Sequence, residues 1–225
     1  MINNTKYPIL YSFRRCPYAI RTRMVIKSAK IIVELREIKL NDKPKDFLEI
    51  SPKGTVPVLI TNSGQVLEES LDIIYWALRI NDPNNLLSEY NLSKKKIDEL
   101  LKKLEDEFKP NLDRYKYPNR YTDIDKNSYR DKNLNYLLNL DNLLKASKYL
   151  NCNHASLIDY LIFPFIRQFR NVDENWFDCL NFHFLKKWLY DLMQSEDFES
   201  IMKKYNIWNS NDIPFYTNFS DIELT

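Results

Sequence analysis

The chain has 225 residues, 44% hydrophobic and 14% aromatic, long and apolar enough for two domains of ordinary size or one large one. Its 33 basic and 31 acidic residues are interspersed and leave a formal charge of +2, so nothing draws it toward nucleic acid or a membrane surface. Two glycines in the whole chain exclude glycine-rich phosphate loops, and with them dinucleotide and P-loop sites.

The start, Met1 to Lys6, is polar, and no apolar run approaches the roughly 18 residues that cross a bilayer. Neither export nor membrane insertion is signalled. Cys16, Cys152 and Cys179 cannot all pair and lie far apart, which fits a reducing cytoplasm.

Residues Tyr7 to about Ile80 alternate in pattern. A strand at Tyr7 to Tyr11 is followed by a helix from Pro17 to Ala29 and a strand from Val33 to Ile38. A segment with Lys43 and Phe47 comes next, then strands at Val58 to Thr61 and Val66 to Glu68 and a helix from Leu71 to Ile80. The Asn-Ser-Gly-Gln turn at Asn62 to Gln65 pairs the last two strands antiparallel. Strands alternating with helices make this a small α/β domain, residues 1–81.

Cys16 sits where the first strand hands over to the first helix. Pro17 fits the first helical position, where a missing N–H costs nothing. A thiol at a helix N-terminus faces unpaired N–H groups and the positive end of the helix dipole, both of which favour the thiolate. Such sites lower a cysteine pKa from about 8.5 into roughly the 3.5–7.5 range. Arg14 and Arg15 add positive charge beside it. Cys16 therefore reads as an activated nucleophile. Ala19 stands where a Cys-x-x-Cys pair would need its second sulfur, so any redox chemistry is monothiol chemistry with an outside thiol.

Asp-Pro-Asn-Asn at Asp82 to Asn85 is a stop signal, and residues 82–92 read as a linker. Residues 93–225 read as an all-helical domain. Lys94 to Tyr115 carries Ile97, Leu100, Leu101, Leu104 and Phe108 on one face, and Tyr129 to Leu150 repeats the pattern. Ser156 and Asp159 form a capping box ahead of Leu157 to Phe169, which is apolar nearly all round and is expected at the centre of this domain. Two helices close the chain, Phe184 to Met193 and Phe198 to Tyr205. Arg167 and Arg170 interrupt the apolar run and could face a cleft. His154 and His183 stand apart from any Cys, Asp or Glu cluster of metal spacing, so no metal site is expected.

Three stretches together resemble the cytosolic glutathione transferases over nearly the full length: Arg-Cys-Pro-Tyr-Ala at Arg15 to Ala19, Ser-Pro-Lys-Gly-Thr-Val-Pro-Val-Leu at Ser51 to Leu59, and Glu-Glu-Ser-Leu-Asp-Ile at Glu68 to Ile73. Cysteine at the nucleophile position and Leu-Asn-Asp-Lys-Pro at Leu40 to Pro44 resemble the cysteine-type, omega-like members. The resemblance implies a thioredoxin-like N-terminal domain followed by an all-helical C-terminal domain, with glutathione bound as co-substrate in a cleft between them. It also implies a homodimer in the cytoplasm, acting on a small-molecule or disulfide substrate, with no metal, nucleic acid or membrane partner.

Carried over residue by residue, Cys16 is the catalytic position. Val56, before Pro57 at the family's cis-proline position, would pair its N–H and C=O with the cysteinyl part of glutathione like an added strand. Ser70 and the free N–H groups of its helix would take the γ-glutamyl carboxylate, Glu69 the ammonium and Lys43 the glycine carboxylate. The activity expected first is glutathione-dependent thiol transfer or reduction through a Cys16–glutathione mixed disulfide. Conjugation of glutathione to an electrophile, with Ser12 or Cys16 activating the glutathione thiol, is a second reading, and a non-catalytic regulatory or binding role a third.

Overall fold

In the computed structural model, which describes residues 5–122 and 125–220, the chain opens with strand β1 (Ile9–Ser12), entirely buried. Helix α1 (Pro17–Ser28) starts at Pro17 because Cys16 is extended, with φ −81° and ψ 124°, and Pro17 needs no N–H partner. It ends at Ala29, and Lys30 follows with φ 54°. Strand β2 (Val33–Glu37) runs parallel to β1, pairing Ile9 with Glu34 and Ser12 with Glu37. A short helix α2 (Lys45–Ile50) then forms over the segment around Phe47, the one buried residue in it. The Phe47 ring meets that of Tyr11 at 5.0 Å and anchors α2 to the sheet.

Strands β3 (Val58–Ile60) and β4 (Val66–Leu67) form the expected hairpin, with Gly64 at φ 83° in its turn. Helix α3 (Ser70–Ile80) follows, with Glu69 as its N-cap residue. A core of Ile9, Tyr11, Ile38, Phe47, Val56, Val58 and Ile60 lies on one side of the sheet, and Cys16 packs against it. Burial of side chains of this size stabilises the fold by roughly 1.5–3 kcal/mol each. The loop that carries Cys16 and the Val56 end of the Ser51–Pro57 turn thus rest on this core.

The helical unit runs from Leu86 to Gln194. Its first helix, α4 (Leu86–Leu92), occupies the stretch read as linker, with Leu86 and Tyr90 buried. The expected long helix is continuous from Lys94 but divided: α5 (Lys94–Lys103), a π turn at Leu104–Phe108, then α6 (Lys109–Lys116). Pro110 explains the π turn, since it lacks an N–H and its ring crowds the preceding turn. The next stretch breaks at Asn133 into α7 (Lys126–Lys132) and α8 (Leu134–Leu144), and its helix stops short of the expected Leu150. Asn133 is buried and donates its side-chain N–H to the Phe108 carbonyl at 3.1 Å, so it is spent on a neighbouring helix.

Helix α9 (Leu157–Arg170) is buried nearly all round and carries the capping box. Asp159 accepts from the Ser156 N–H at 2.9 Å, the Ser156 hydroxyl at 2.7 Å, the Leu150 N–H at 2.9 Å and the Trp188 indole at 2.8 Å. Burial pushes its carboxyl up, against the pull of these donors. Helices α10 (Glu174–Asp178) and α11 (His183–Met193) complete the unit.

The chain then returns to its beginning. From Ser195 onward it belongs with the residues up to Asn85, so residues 93–225 do not form one helical domain. Helix α12 (Glu196–Ile201) packs on α1 and ends four residues before the expected Tyr205, and strand β5 (Tyr216–Thr217) pairs antiparallel with β2. The finished sheet has the order β4-β3-β1-β2-β5. Two residues are too few for the alternation that marks a strand in sequence, and β5 was not expected.

Candidate functional site

The turn from Ser51 to Pro57 ties the candidate residues together. At its end the Val56–Pro57 peptide is cis, and the Val56 carbonyl accepts from the Cys16 thiol at 3.4 Å. In its middle, Gly54 has φ +60°, and a Cβ there would stand 3.1 Å from the Lys43 ammonium and 3.1 Å from a Leu48 methyl. At its start the Ser51 hydroxyl donates to Glu68 at 2.6 Å, and Lys53 pairs with Glu69 at 2.9 Å. One seven-residue connection thus touches the helix bearing the thiol, the approach to α2 and the entry to α3.

Cys16 is half-buried at the N-terminus of α1, as the cap position requires. Its backbone is fixed on both sides: its N–H donates to the Phe13 carbonyl at 3.0 Å, and its carbonyl accepts from Ile20 at 2.9 Å. The neighbouring arginines are engaged elsewhere. The Arg14 guanidinium donates to the Met202 carbonyl at 3.1 Å, and Arg15 lies over the Phe13 ring. Cys16 thus stands at the positive end of the α1 dipole, a position that in general favours a thiolate.

Ser70, the first residue of α3, is buried, and its hydroxyl accepts twice from Arg21, at 3.0 Å from Nε and 2.7 Å from Nη2. Arg21 is itself 2% exposed and packs over the Tyr18 ring at 4.7 Å. Sequence reasoning missed it. The available signal was an arginine one and a third turns after Cys16 on a helix whose other residues are mostly apolar. Lys53 was missed too, and its ammonium is held above the usual lysine range by the hydrogen bond to Glu69.

A second network fixes the strand-to-helix connection. Buried Arg23 donates to the Ser12 hydroxyl at 2.9 Å and to the Ile201 carbonyl at 3.2 Å, and it pairs with Glu37. Glu37 also accepts the Arg14 backbone N–H at 2.6 Å. Ser12 is fully buried in this network, so it cannot meet an incoming thiol, and the expectation that it could activate one fails on access. Tyr11 lies in the strand core as expected, its hydroxyl accepting from Arg36 at 2.5 Å and burial pushing its pKa up.

In the helical unit, Arg170 is taken by Asp178, to which it donates at 2.9 and 2.7 Å, with Tyr190 completing the set. It serves structure, against the reading that it could face a cleft. His154 is not isolated. Its Nε2 lies 2.9 and 3.1 Å from the two Glu89 oxygens, and Cys152 joins them.

Comparisons with known proteins bear on this arrangement. Residues 10–85 match the family model for the glutathione S-transferase N-terminal domain. The chain is 30% identical over 199 residues to glutathione S-transferase omega-2 of Rattus norvegicus, covering 82% of this chain and 74% of the relative. The chain belongs to the glutathione S-transferase family.

Its likeness within that family is to the omega type: glutathione S-transferase omega-1 of Sus scrofa is 28% identical over 195 residues, covering 82% of this chain and 76% of the relative. A glutathione transferase family member from Pseudomonas fluorescens, solved with two glutathione bound, superimposes with a TM-score of 0.74 at 16% identity, over 88% of this chain and 92% of that one. The glutathione S-transferase fold joins a thioredoxin-like sheet domain to a helical domain, and both are present here. Among the described residues, no helix is long and apolar enough to cross a membrane.

Proposed function

We propose that this glutathione S-transferase family chain is a glutathione-dependent thiol transferase with Cys16 as its nucleophile. The observation that carries the reading is the placement of the Cys16 sulfur at a helix N-terminus, 3.4 Å from the carbonyl of the residue before a cis-proline. Glutathione lying along Val56 as an added strand would present its own sulfur to Cys16. Its γ-glutamyl carboxylate would fall on Ser70 and the first N–H groups of α3, its ammonium on Glu69 and its glycine carboxylate on Lys43.

The chemistry balances with one free glutathione per turnover. The Cys16 thiolate attacks the glutathione sulfur of a mixed disulfide R–S–SG; that S–S bond breaks, and R–S⁻ leaves and takes up a proton. A second glutathione thiolate attacks the Cys16–S–SG bond, releases oxidised glutathione and restores Cys16. Ala19 supplies no resolving sulfur, so the second glutathione is obligatory. The acceptor disulfide, the dimer and a cytoplasmic setting belong to this same reading.

The Cys16 thiol donates to the Val56 carbonyl, and a hydrogen bond donated by a thiol favours its protonated form. A backbone-paired glutathione would compete for that carbonyl and remove this preference. S-methylglutathione, which occupies the site without a reactive sulfur, should therefore raise the thiolate absorbance of Cys16 at fixed pH. An unchanged or reduced absorbance would count against this arrangement.

Cys16→Ala should abolish reduction of a glutathionylated peptide and leave binding to immobilised glutathione within about threefold of wild type. Full thiol-transfer rates in that variant would overturn the proposal. Conjugation loses support from the burial of Ser12. A chlorinated aromatic electrophile turned over at undiminished rate by Cys16→Ala would restore it.

A further inference from the structure

Outside the thiol site, the described residues include one cluster that mixes sulfur, nitrogen and carboxylate donors. Cys152 Sγ, a His154 ring nitrogen and a Glu89 carboxylate oxygen all lie within 4.8 Å of one another. Donors on a tetrahedral zinc ion, at about 2.0–2.3 Å each from the metal, stand roughly 3.3–3.8 Å apart. Convergence on a common ion therefore needs shifts of about an ångström between the donor atoms.

The frame that holds the donors is already built. Glu89 belongs to α4, whose Leu86 and Tyr90 are buried. Cys152 and His154 lie in the connection between α8 and α9, pinned at several points. The Leu150 N–H is held by buried Asp159, the Leu150 carbonyl accepts from Lys96 at 3.2 Å, and the Tyr149 N–H donates to the Cys152 carbonyl at 3.0 Å. The Cys152 thiol now donates to the His154 carbonyl at 3.2 Å, a weak bond that rotation onto a metal would give up.

We propose that Glu89, Cys152 and His154 bind a divalent cation of the zinc class, with a water in the fourth position. Sulfur and imidazole donors select against magnesium and calcium, which take oxygen ligands. The bound ion would clip α4 to the α8–α9 connection. None of the three residues belongs to the thiol site, so the clip acts on stability and is independent of the transferase reading.

Cobalt(II) serves as the probe, added to reduced, metal-free, glutathione-free full-length protein. One cobalt per chain should bind with a near-ultraviolet thiolate-to-metal charge-transfer band, and zinc should abolish the band by displacement. Cys152→Ser should remove the band, and Cys16→Ser should keep it. Glu89→Gln and His154→Ala should weaken cobalt by roughly a hundredfold, the upper end of what even an outer-shell partner costs. Zinc should raise the melting temperature of wild type but not of Cys152→Ser. All these side chains are at least partly exposed, and equal melting temperatures of the metal-free proteins check that the variants fold. A band that survives Cys152→Ser, or no band at millimolar cobalt, would overturn the proposal and leave Glu89 and His154 as a surface ion pair.

Discussion

Arg21 carries the most chemistry of any residue that the motifs did not name. Two of its nitrogens hold one serine hydroxyl, a forked arrangement that a lysine cannot reproduce. The hydroxyl is thereby oriented, and a positive charge stands beside the N-terminus of α3, where the γ-glutamyl carboxylate is proposed to bind. Arg21→Lys should raise KM for glutathione roughly tenfold with kcat changed little, the pattern of a lost binding interaction. Because Arg21 is buried, folding must be separated from binding. Ser70→Ala should show a similar KM, and the double variant should be no worse than the poorer single one. Additive defects would mean that Arg21 acts through stability instead.

At the scale of elements, the Ser51–Pro57 turn is the part whose geometry matters most, and Gly54 sets it. Its φ of +60° costs a residue with a Cβ about 1–2 kcal/mol, and the added methyl would crowd Lys43 and Leu48. Gly54→Ala should lower stability by about that amount and raise KM for glutathione, while Lys43→Ala should raise KM with the stability unchanged. Denaturant midpoints beside steady-state kinetics make the distinction. In the helical unit, α9 is joined to α10 through Arg170 and Asp178, and the Arg170 hydrogen bond holds the Asp178 carboxyl below the usual carboxylate range. A carboxyl lowered in the folded state stabilises above its unfolded pKa of about 3.9 and loses that contribution as pH falls through its folded value. Asp178 is 37% exposed, so solvent screening keeps the contribution below about 1 kcal/mol. Asp178→Asn should therefore be less stable than wild type at neutral pH, and the gap should narrow as the pH is taken below about 3.9, as urea midpoints would report.

Across the whole molecule, the features legible in the sequence are those that local chemistry decides. Pro17 announced the helix start that places Cys16, the Asn62 to Gln65 turn announced its hairpin, and Ser156 with Asp159 announced α9, because each acts within a few residues of itself. The Lys43, Val56, Glu69 and Ser70 positions were named through family resemblance, and their partners were not, since Lys53 and Arg21 reach them across 16 and 49 residues. His154 was set aside for the same reason, Glu89 being 65 residues away. The return of the chain at Ser195 escaped notice because α12 and β5 are short and depend on partners at the other end of the sequence. That return also governs how the protein is made. The sheet-bearing unit begins to leave the ribosome before the helical unit and is completed after it. Between Asn85 and Ser195 the translating chain must insert an entire helical unit, on the order of ten seconds of synthesis. Through that interval Arg23 lacks the Ile201 carbonyl, Arg14 the Met202 carbonyl and β2 its outer neighbour. The nascent nucleophile loop is finished only when the end of α12 arrives.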